Sequence, residues 1–257
     1  MEKLVNTVIV SVFVYALRLQ SMQKWYYMTS NNIVDLPALR NRVHVFRDRA
    51  HAGAVLAEML TDYAGGDALV LAIPAGGVPV AAVVAGQLRL PMDVAVVSKI
   101  TLPWNTESGY GAVAFDGTVR LNERLLPRLA LSSQEIEEGI AKTRAKVNRR
   151  VAELRGRQDW PPLAERPVIL VDDGMASGFT LYTATAAITQ AGAERIIVAV
   201  PTAHAESLPS LAQDVAAVYC PNIRRGWSFA VAEAYEHWSD VDEAEVMTIL
   251  KRYRENG

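Results

Sequence analysis

The stretch Val168–Leu181 reads VILVDDGMASGFTL, and it decides the fold expected for the chain. Its first four apolar residues predict a strand that is buried on both faces, as in a parallel sheet. The strand runs directly into two acids, Asp172 and Asp173, and small residues then lead into a helical pattern. A helix N-terminus offers unpaired N–H groups to a phosphate, and two fixed carboxylates accept hydrogen bonds from vicinal hydroxyls or hold a hydrated divalent cation. The pattern therefore suits a sugar phosphate.

Composition and charge set the class of protein and exclude several functions. The chain has 257 residues, of which 51% are hydrophobic and 21% charged, as in an ordered globular protein. Its formal net charge of −2 gives no electrostatic basis for nucleic-acid binding. The single cysteine, Cys220, cannot form an internal disulfide, which fits a cytoplasmic location. The four histidines are dispersed and make no zinc-binding spacing; they are His44, His51, His204 and His237.

The amino-terminal residues predict an extension that is separate from the domain. Val8–Leu17 is an apolar run, but it is shorter than the roughly 20 residues that span a membrane. It matches the core of a signal peptide in length, although no small-x-small cleavage site follows it. We expect either a start of translation at Met22 or Met28 or a loosely attached helix, and no membrane anchor. On this interpretation residues 1–33 are an extension and residues 34–257 form the domain.

Apolar runs and helical patterns alternate along the domain, which predicts an α/β fold. The predicted strands are Ala68–Ile73, Val94–Val97, Val168–Val171, Ile196–Val200 and Val215–Tyr219. A helix is predicted before the first strand over Ala52–Leu60, and helices between strands are predicted over Val80–Leu88 and Leu181–Gln190. Strands joined by helices in this way form a mainly parallel sheet with helices on both faces and right-handed crossovers.

Three further features lie between these units. Residues 101–109 are polar and irregular and predict a loop, whereas Asp116-Gly117 between two strand-like runs predicts a hairpin. Ser132–Arg155 predicts a long helix, because it begins with a Ser-x-x-Glu capping box and its apolar residues recur at helical spacing. Its basic second half is interpreted as a solvated face, since acids in the first half balance it. We assign this helix to an insertion over residues 122–160.

The stretch Val168–Leu181 resembles the phosphoribosyl-diphosphate (PRPP) signature of type I phosphoribosyltransferases. The matching features are an apolar strand, two acids, four variable small residues and then Gly-x-Thr. The resemblance implies that Asp172 and Asp173 hold the ribose 2- and 3-hydroxyls, and that the following backbone wraps the 5-phosphate with the hydroxyls of Ser177 and Thr180. The implied PRPP-binding residues are Asp172, Asp173, Gly174, Met175, Ala176, Ser177, Gly178, Phe179 and Thr180.

A plain strand-to-helix turn of a doubly wound fold is the alternative for this motif. It accounts for the glycine and for one acid near a helix start, but it leaves a second acid at a buried strand end without a purpose. Because burying a charge is costly, the ligand-binding interpretation explains more of the sequence. The chain has neither a Gly-Lys-Ser/Thr phosphate loop nor a strict G-x-G-x-x-G dinucleotide fingerprint.

A second loop, Pro74-Ala75-Gly76-Gly77, resembles the same family. Type I enzymes have at this place a short loop that contacts pyrophosphate through its backbone, and glycines permit close backbone approach. The departure is Ala75, where many relatives carry Lys or Arg. The implied pyrophosphate loop is therefore Ala75, Gly76 and Gly77, with backbone contacts alone. A Gly-Gly turn before a helix is the alternative for this loop.

Lys99 and an aromatic segment complete the resemblance. Type I enzymes close a mobile loop over the active site, which makes Lys99 a catalytic candidate beside the acid pair, with Glu107 or Tyr110 joining the closed state. An ordinary lysine at a strand end is an equal alternative. Near the C-terminus, Trp227 and Phe229 match the segment with which purine-type members stack the acceptor base, although such rings more often pack in a core or hood.

The resemblance implies a fold and a reaction. The fold is of the type I phosphoribosyltransferase kind, with a mainly parallel sheet, the helical insertion and a small hood from the terminal regions. The reaction transfers the 5-phosphoribosyl group from PRPP to a nitrogenous acceptor, such as a nucleobase, and releases pyrophosphate. Mg²⁺ is the implied cofactor, held by Asp172 and Asp173 partly through PRPP and water.

The partners that the resemblance implies are small molecules in nucleotide metabolism, and similar proteins are commonly homodimers. Two other functions stay open at this point. The first is a non-catalytic PRPP-sensing regulator on the same fold, which the absence of a base at Ala75 favours. The second is a hydrolase, or another sugar-phosphate enzyme, that uses the same phosphate loop.

Overall fold

A seven-stranded sheet forms the centre of the computed structural model, which describes residues 27–30, 32–156, 162–164 and 166–256. The strands are β1 (Tyr27–Ser30), β2 (Ile33–Asp35), β3 (Leu69–Ala72), β4 (Met92–Val94), β5 (Val97–Leu102), β6 (Asn105–Ala114), β7 (Val119–Leu121), β8 (Pro167–Val171), β9 (Arg195–Ala199), β10 (Thr202–His204), β11 (Ala217–Tyr219) and β12 (Asn222–Arg224). The helices are α1 (Arg49–Met59), α2 (Gly77–Leu88), α3 (Ser133–Arg155), α4 (Phe179–Gln190), α5 (Leu208–Gln213) and α6 (Glu243–Asn256).

The order of the central sheet is β1-β2-β11-β9-β8-β3-β4, and β1 pairs antiparallel while the other neighbours pair parallel. Side chains alternate across it, so that Val70 joins the core beneath α1, α2, α3 and α6, and Leu71 joins the core beneath α4 and α5. The predicted α/β fold, with a mainly parallel sheet and helices on both faces, is confirmed. The carboxyl ends of β3 and β8, which are neighbours, therefore meet at one edge.

Two smaller sheets complete the fold. β10 and β12 pair parallel, and β5, β6 and β7 form an antiparallel sheet of three strands. An isolated bridge joins Phe46 to Tyr235, so the amino-terminal and carboxy-terminal segments meet as expected for the hood. The hairpin predicted at Asp116-Gly117 is confirmed, since it joins β6 to β7 and the Asp116 carboxylate accepts from the Thr118 backbone N–H at 2.9 Å.

The segment after β4 differs from the prediction in two ways. The predicted strand Val94–Val97 is wrong as a single unit, because the Ala95 N–H gives its hydrogen bond to the Ala72 carbonyl at 2.9 Å and Val97 already pairs with Ala114 in the other sheet. The loop predicted over residues 101–109 is also wrong, because most of it belongs to the paired strands β5 and β6. Backbone pairing and the buried side chains of this hairpin outweigh its polar composition.

The predicted long helix is confirmed as α3, and its capping box is present. The Ser132 hydroxyl accepts from the Glu135 N–H at 3.2 Å, while the Glu135 carboxylate accepts from the Ser132 N–H at 2.8 Å. The interpretation of its basic half as solvated is wrong for Arg150 and Arg155, which are buried and pair with Glu243 at 2.9 Å and Asp93 at 2.8 Å. These two ion pairs attach the predicted insertion to α6 and to β4.

Most of the amino-terminal residues for which predictions were made lie outside the described part of the chain. Val8–Leu17 and Met22 lie outside the described residues, and Met28 lies in β1. β1 and β2 pair with each other at the edge of the central sheet, and the domain boundary between residues 33 and 34 stays a prediction. In the part of the chain that the structure describes, no helix has the length and apolar character needed to cross a membrane.

Cys220 should be unreactive as long as the protein is folded. Its side chain is buried, and burial raises the pKa of the thiol far above its ordinary value, so that little thiolate forms at neutral pH. We expect a thiol reagent such as DTNB to modify the native protein at least a hundredfold more slowly than glutathione, and to react fully once urea unfolds it. Rapid modification of the native protein would contradict this burial.

Candidate active site

The site begins at two acids that follow directly on β8. Asp172 is buried, and its carboxylate accepts from the Asp173 backbone N–H at 2.9 Å. Burial raises the pKa of the Asp172 carboxyl well above its usual range, and the neighbouring charge of Asp173 raises it further. Holding two neighbouring carboxyls in a place with so little water costs free energy, because burial disfavours their charged forms. That cost is typical of residues kept for a ligand rather than for the core.

Asp173 is paired with an arginine from α1. Asp173 Oδ2 accepts from Arg49 Nε at 3.0 Å, and Arg49 Nη2 lies 2.9 Å from the same oxygen in an ion pair. The guanidinium also lies 3.8 Å from the centre of the Trp238 ring, and its Nη1 donates to the Ser239 carbonyl at 2.8 Å. Burial raises the pKa of the Asp173 carboxyl, while the charge and hydrogen bonds of Arg49 oppose that rise. Arg49 therefore connects the Asp173 carboxylate with the segment that carries Trp238 and Ser239.

Arg49 was missed by the sequence analysis. Its neighbour Asp48 caps α1 by accepting from the His51 N–H at 2.7 Å, and Arg49 is the first residue of that helix. Nothing in the sequence pairs Arg49 with an acid 124 residues away, because that contact depends on how α1 packs on the sheet.

Tyr235 ties the hood to the same loop. Its hydroxyl donates to the Asp173 carbonyl at 2.6 Å, and its ring lies 5.7 Å from that of Phe46. Burial raises the pKa of this phenol well above its ordinary value, and the charge of Asp173 adds to the rise, so the hydroxyl stays a donor. Tyr235 follows the two candidate stacking residues Trp227 and Phe229 in the chain, and it is a buried anchor rather than an open stacking surface.

The loop after the acids leads from the sheet edge to a helix N-terminus. The Met175 N–H donates to the Thr202 carbonyl at 2.9 Å, which fixes the start of the loop against β10. Gly178 then takes a left-handed conformation with φ of +78° and precedes α4, where a side chain would also meet the Met175 methyl group at 2.6 Å. Ser177 is exposed, and no side chain of the described residues caps α4. Its first N–H groups are thus available to an anion.

The Gly76-Gly77 turn lies directly against the acid pair. A Cβ atom on Gly76 would overlap the Asp173 carboxylate, and a Cβ atom on Gly77 would lie 2.7 Å from the Val171 carbonyl oxygen and 2.9 Å from the Asp172 Cα. Contact this close requires glycine at both positions. The Ile73 N–H also donates to the Val171 carbonyl at 2.8 Å. The structure therefore brings together the two loops that the sequence singled out separately.

Comparison with known proteins identifies the family. Residues 116–234 match the family model described as a phosphoribosyl transferase domain, a region that contains the whole Asp172–Thr180 loop. The crystal structure of TT1426 from Thermus thermophilus is 33% identical, with a TM-score of 0.65 over 81% of this chain and 98% of that protein. The chain belongs to the phosphoribosyltransferase family.

Two curated relatives come from Mycobacterium tuberculosis, and they are named "Putative phosphoribosyl transferase" Rv0571c and MT0597. Each is 33% identical to this chain over 208 residues, which are 81% of this chain and 47% of the relative. The chain thus spans about half the length of these curated phosphoribosyltransferase relatives.

Three other residues that the sequence singled out, Lys99, Glu107 and Tyr110, lie in β5 and β6 of the three-stranded sheet. Lys99 is exposed on β5, and its stem lies close against Gly109 in the three-stranded sheet. Tyr110 is buried with its hydroxyl against Gly139 of α3, so it packs in the core rather than reaching over the acid pair. Glu107 lies in β6. The roles of Lys99 and Glu107 in a closed state stay predictions.

The two candidate stacking residues differ in their surroundings. Trp227 is fully exposed, whereas Phe229 lies 4.9 Å from the Arg224 guanidinium and 5.5 Å from the His204 ring. Phe229 thus already has a cationic and an aromatic neighbour, whereas Trp227 is open to solvent. Acceptor stacking by either residue stays a prediction.

The acid pair fits the Mg²⁺ that the family implies, as far as the ligand types go. Among the described residues no cluster of three or more His, Cys, Asp or Glu side chains could hold a metal ion by itself. Asp172 and Asp173 offer two carboxylates, and each has one oxygen engaged in the hydrogen bonds described above. Mg²⁺ is commonly held by one or two carboxylates together with substrate phosphates and water. The residues therefore fit an ion that arrives with its substrate.

Proposed function

We propose that the chain binds PRPP with Mg²⁺ and transfers its 5-phosphoribosyl group to a nitrogenous acceptor, with release of pyrophosphate. The observation that carries the proposal is the acid pair, of which Asp172 is buried; the pair lies against the Gly76-Gly77 turn and is followed in the chain by the uncapped N-terminus of α4. PRPP has three parts that a protein can bind: the ribose hydroxyls, the diphosphate and the 5-phosphate. The acid pair suits the hydroxyls, the Gly76-Gly77 turn suits the diphosphate, and the start of α4 suits the 5-phosphate. Membership of the phosphoribosyltransferase family supports the same reading.

The protein side of the reaction is positioning and electrostatic stabilisation. Asp172 and Asp173 accept hydrogen bonds from the two ribose hydroxyls, and the N–H groups at the start of α4 hold the 5-phosphate. The backbone of Ala75, Gly76 and Gly77 holds the diphosphate. When bound, Mg²⁺ neutralises charge on the leaving diphosphate. The acceptor nitrogen forms a bond to C1 as the bond from C1 to the diphosphate oxygen breaks, so pyrophosphate leaves with both electrons.

A PRPP sensor without turnover is the second candidate, and Ala75 is the observation that favours it. A basic side chain at this position would stabilise the charge that develops on departing pyrophosphate. Without that side chain, the loop can still bind diphosphate through its backbone. Binding and turnover are therefore separable properties of this site.

The natural setting is part of the same proposal. We propose small-molecule substrates of nucleotide metabolism, a cytoplasmic location and assembly as a homodimer. The net charge of −2 and the single buried thiol of Cys220 support small-molecule chemistry in a reducing compartment.

A turnover assay distinguishes these functions. The protein is incubated with PRPP, MgCl₂ and a panel of nucleobases and simple amines, while pyrophosphate release and the phosphorus NMR spectrum are followed. Transfer gives pyrophosphate together with a new phosphoribosylated product, and removal of Mg²⁺ by EDTA should reduce the rate at least a hundredfold. Hydrolysis gives ribose 5-phosphate without an acceptor. Binding without pyrophosphate release supports the sensor, and a lack of PRPP binding by calorimetry contradicts both proposals.

A further inference from the structure

The stability of α1 does not explain why an arginine occupies position 49. Arg49 is the first residue of α1, where the positive end of the helix dipole disfavours a cation. Its side chain is nevertheless only 10% exposed. A buried ion pair contributes little net stability compared with apolar packing, because desolvation of both charges offsets their attraction. Neither helix stability nor core packing accounts for an arginine at this position.

The contacts of Arg49 hold its guanidinium in one place. Trp238 covers one face of the group, the Ser239 carbonyl accepts from Nη1, and Nε and Nη2 lie 3.0 and 2.9 Å from Asp173 Oδ2. Trp238 itself keeps about a third of its surface exposed and packs on Tyr235 with 5.1 Å between ring centres. An arginine held in this way loses little further entropy when it orients a partner.

Arg49 engages one of the two oxygens of the Asp173 carboxylate. Its Nε hydrogen bond and its Nη2 ion-pair contact both involve Oδ2. Oδ2 is also the atom nearest to the place where a side chain on Gly76 would project, so this oxygen faces the turn and the arginine. Fixing Oδ2 fixes the rotation of the whole carboxylate, and with it the direction in which Oδ1 can accept a hydrogen bond.

We infer that Arg49 is a positioning residue, which sets the orientation of Asp173 toward the ribose hydroxyls, and that Trp238 holds Arg49 for this purpose. The inference rests on the proposed binding of PRPP and extends it to residues outside the two sequence motifs. Arg49 acts through Asp173 and needs no contact with PRPP. The segment that carries Trp238 and Ser239 thereby contributes to ribose recognition although it does not touch the ribose.

A double-mutant cycle tests this inference by calorimetry with the full chain. Arg49→Gln should weaken PRPP binding in the presence of Mg²⁺ by about 10-fold to 100-fold, the range expected when a charge-assisted hydrogen bond is lost. In an Asp173→Asn background the same change should have an effect below twofold, because Arg49 then has no carboxylate to orient. Binding of pyrophosphate with Mg²⁺, which has no ribose, should change less than twofold in Arg49→Gln, because both carboxylates are kept.

Three further variants complete the experiment. Arg47→Gln is the matched control, since Arg47 is exposed near the same helix start and pairs with Asp48 at 3.0 Å. It should leave PRPP affinity unchanged. Arg49→Lys keeps the charge without the planar two-nitrogen contact and should give an intermediate affinity. Trp238→Leu should weaken PRPP binding severalfold, and thermal melting of each variant reports whether it folds.

The outcomes that overturn the inference are distinct. Equal PRPP affinity of the wild type and Arg49→Gln overturns it while leaving the proposed function intact. Additive losses from Arg49→Gln and Asp173→Asn overturn it as well, because Arg49 would then act independently of Asp173. Equal loss of PRPP and pyrophosphate binding, with a lowered melting temperature, shows a purely structural role. A wild type that binds no PRPP overturns the proposed function and this inference together.

Discussion

Replacement of both Asp172 and Asp173 by asparagine should abolish PRPP binding and leave the protein folded. An amide keeps the size of the carboxyl group but presents one acceptor oxygen and no negative charge. The double variant loses the charge-assisted acceptors for two ribose hydroxyls and both carboxylates that would face Mg²⁺. Since each hydrogen bond to a charged group contributes about 1.5–3 kcal/mol, loss of the two should lower the affinity at least a hundredfold.

The stability of this variant separates a ligand-binding role from a structural one. Burial raises the pKa of both carboxyls, so the ionised pair destabilises the fold at any pH above those raised values. Asp172→Asn removes that cost, and we expect this single variant to unfold in urea at the same or a higher concentration than the wild type. Asp116→Asn, in an exposed hairpin turn, is the matched control for PRPP affinity. Calorimetry that shows unchanged PRPP binding in the double variant would disprove the assignment of the acid pair.

Arg155→Met should cause the largest loss of stability among the changes considered. Arg155 is 3% exposed and donates to Asp93 Oδ2 from Nε at 3.0 Å and from Nη2 at 2.8 Å. Methionine leaves the Asp93 carboxylate buried without this partner, and breaking a buried pair in this way costs about 3–5 kcal/mol. Urea unfolding followed by circular dichroism measures the loss.

Arg149→Met is the control for this prediction, because it lies on the same helix. Arg149 is exposed and pairs with Glu153 at 3.6 Å, an arrangement that contributes less than about 1 kcal/mol. PRPP affinity should be unaffected in both variants as long as they are folded. If the two variants unfolded at the same urea concentration, the pair between α3 and β4 would not be what holds the insertion to the sheet.

The parts of this fold that sequence reasoning reached are those in which local pattern and global packing agree. The apolar run before Asp172 is a strand because it is buried on both faces, and the helical period after Gly178 is α4. Their neighbours Leu69–Ala72 and Arg195–Ala199 carry the same signal. Parallel strands place their carboxyl ends at one edge, which is why two loops about 100 residues apart in the chain could be assigned to one site.

The parts that it did not reach depend on contacts between distant segments. The polar composition of β5 and β6 predicts a loop. The two segments are strands because they pair with each other, and the composition of neither segment shows that pairing. Arg155 reads as a solvated base, because helical spacing does not reveal that Asp93 lies opposite. The predicted roles of Lys99, Trp227 and Phe229 concern a bound acceptor and a closed state of the protein, and they stay predictions.

The contacts of Asp173 also bear on how the site forms during folding. Its loop lies within the region that matches the family model, but Arg49 comes from before that region, and Tyr235 and Trp238 come after it. As the chain leaves the ribosome, the acid pair therefore emerges before the residues that anchor it from the C-terminal side. The fragment 116–234 would carry the PRPP signature without these three partners and without β3. The contacts around Asp173 are therefore complete only when both ends of the domain have packed onto its middle.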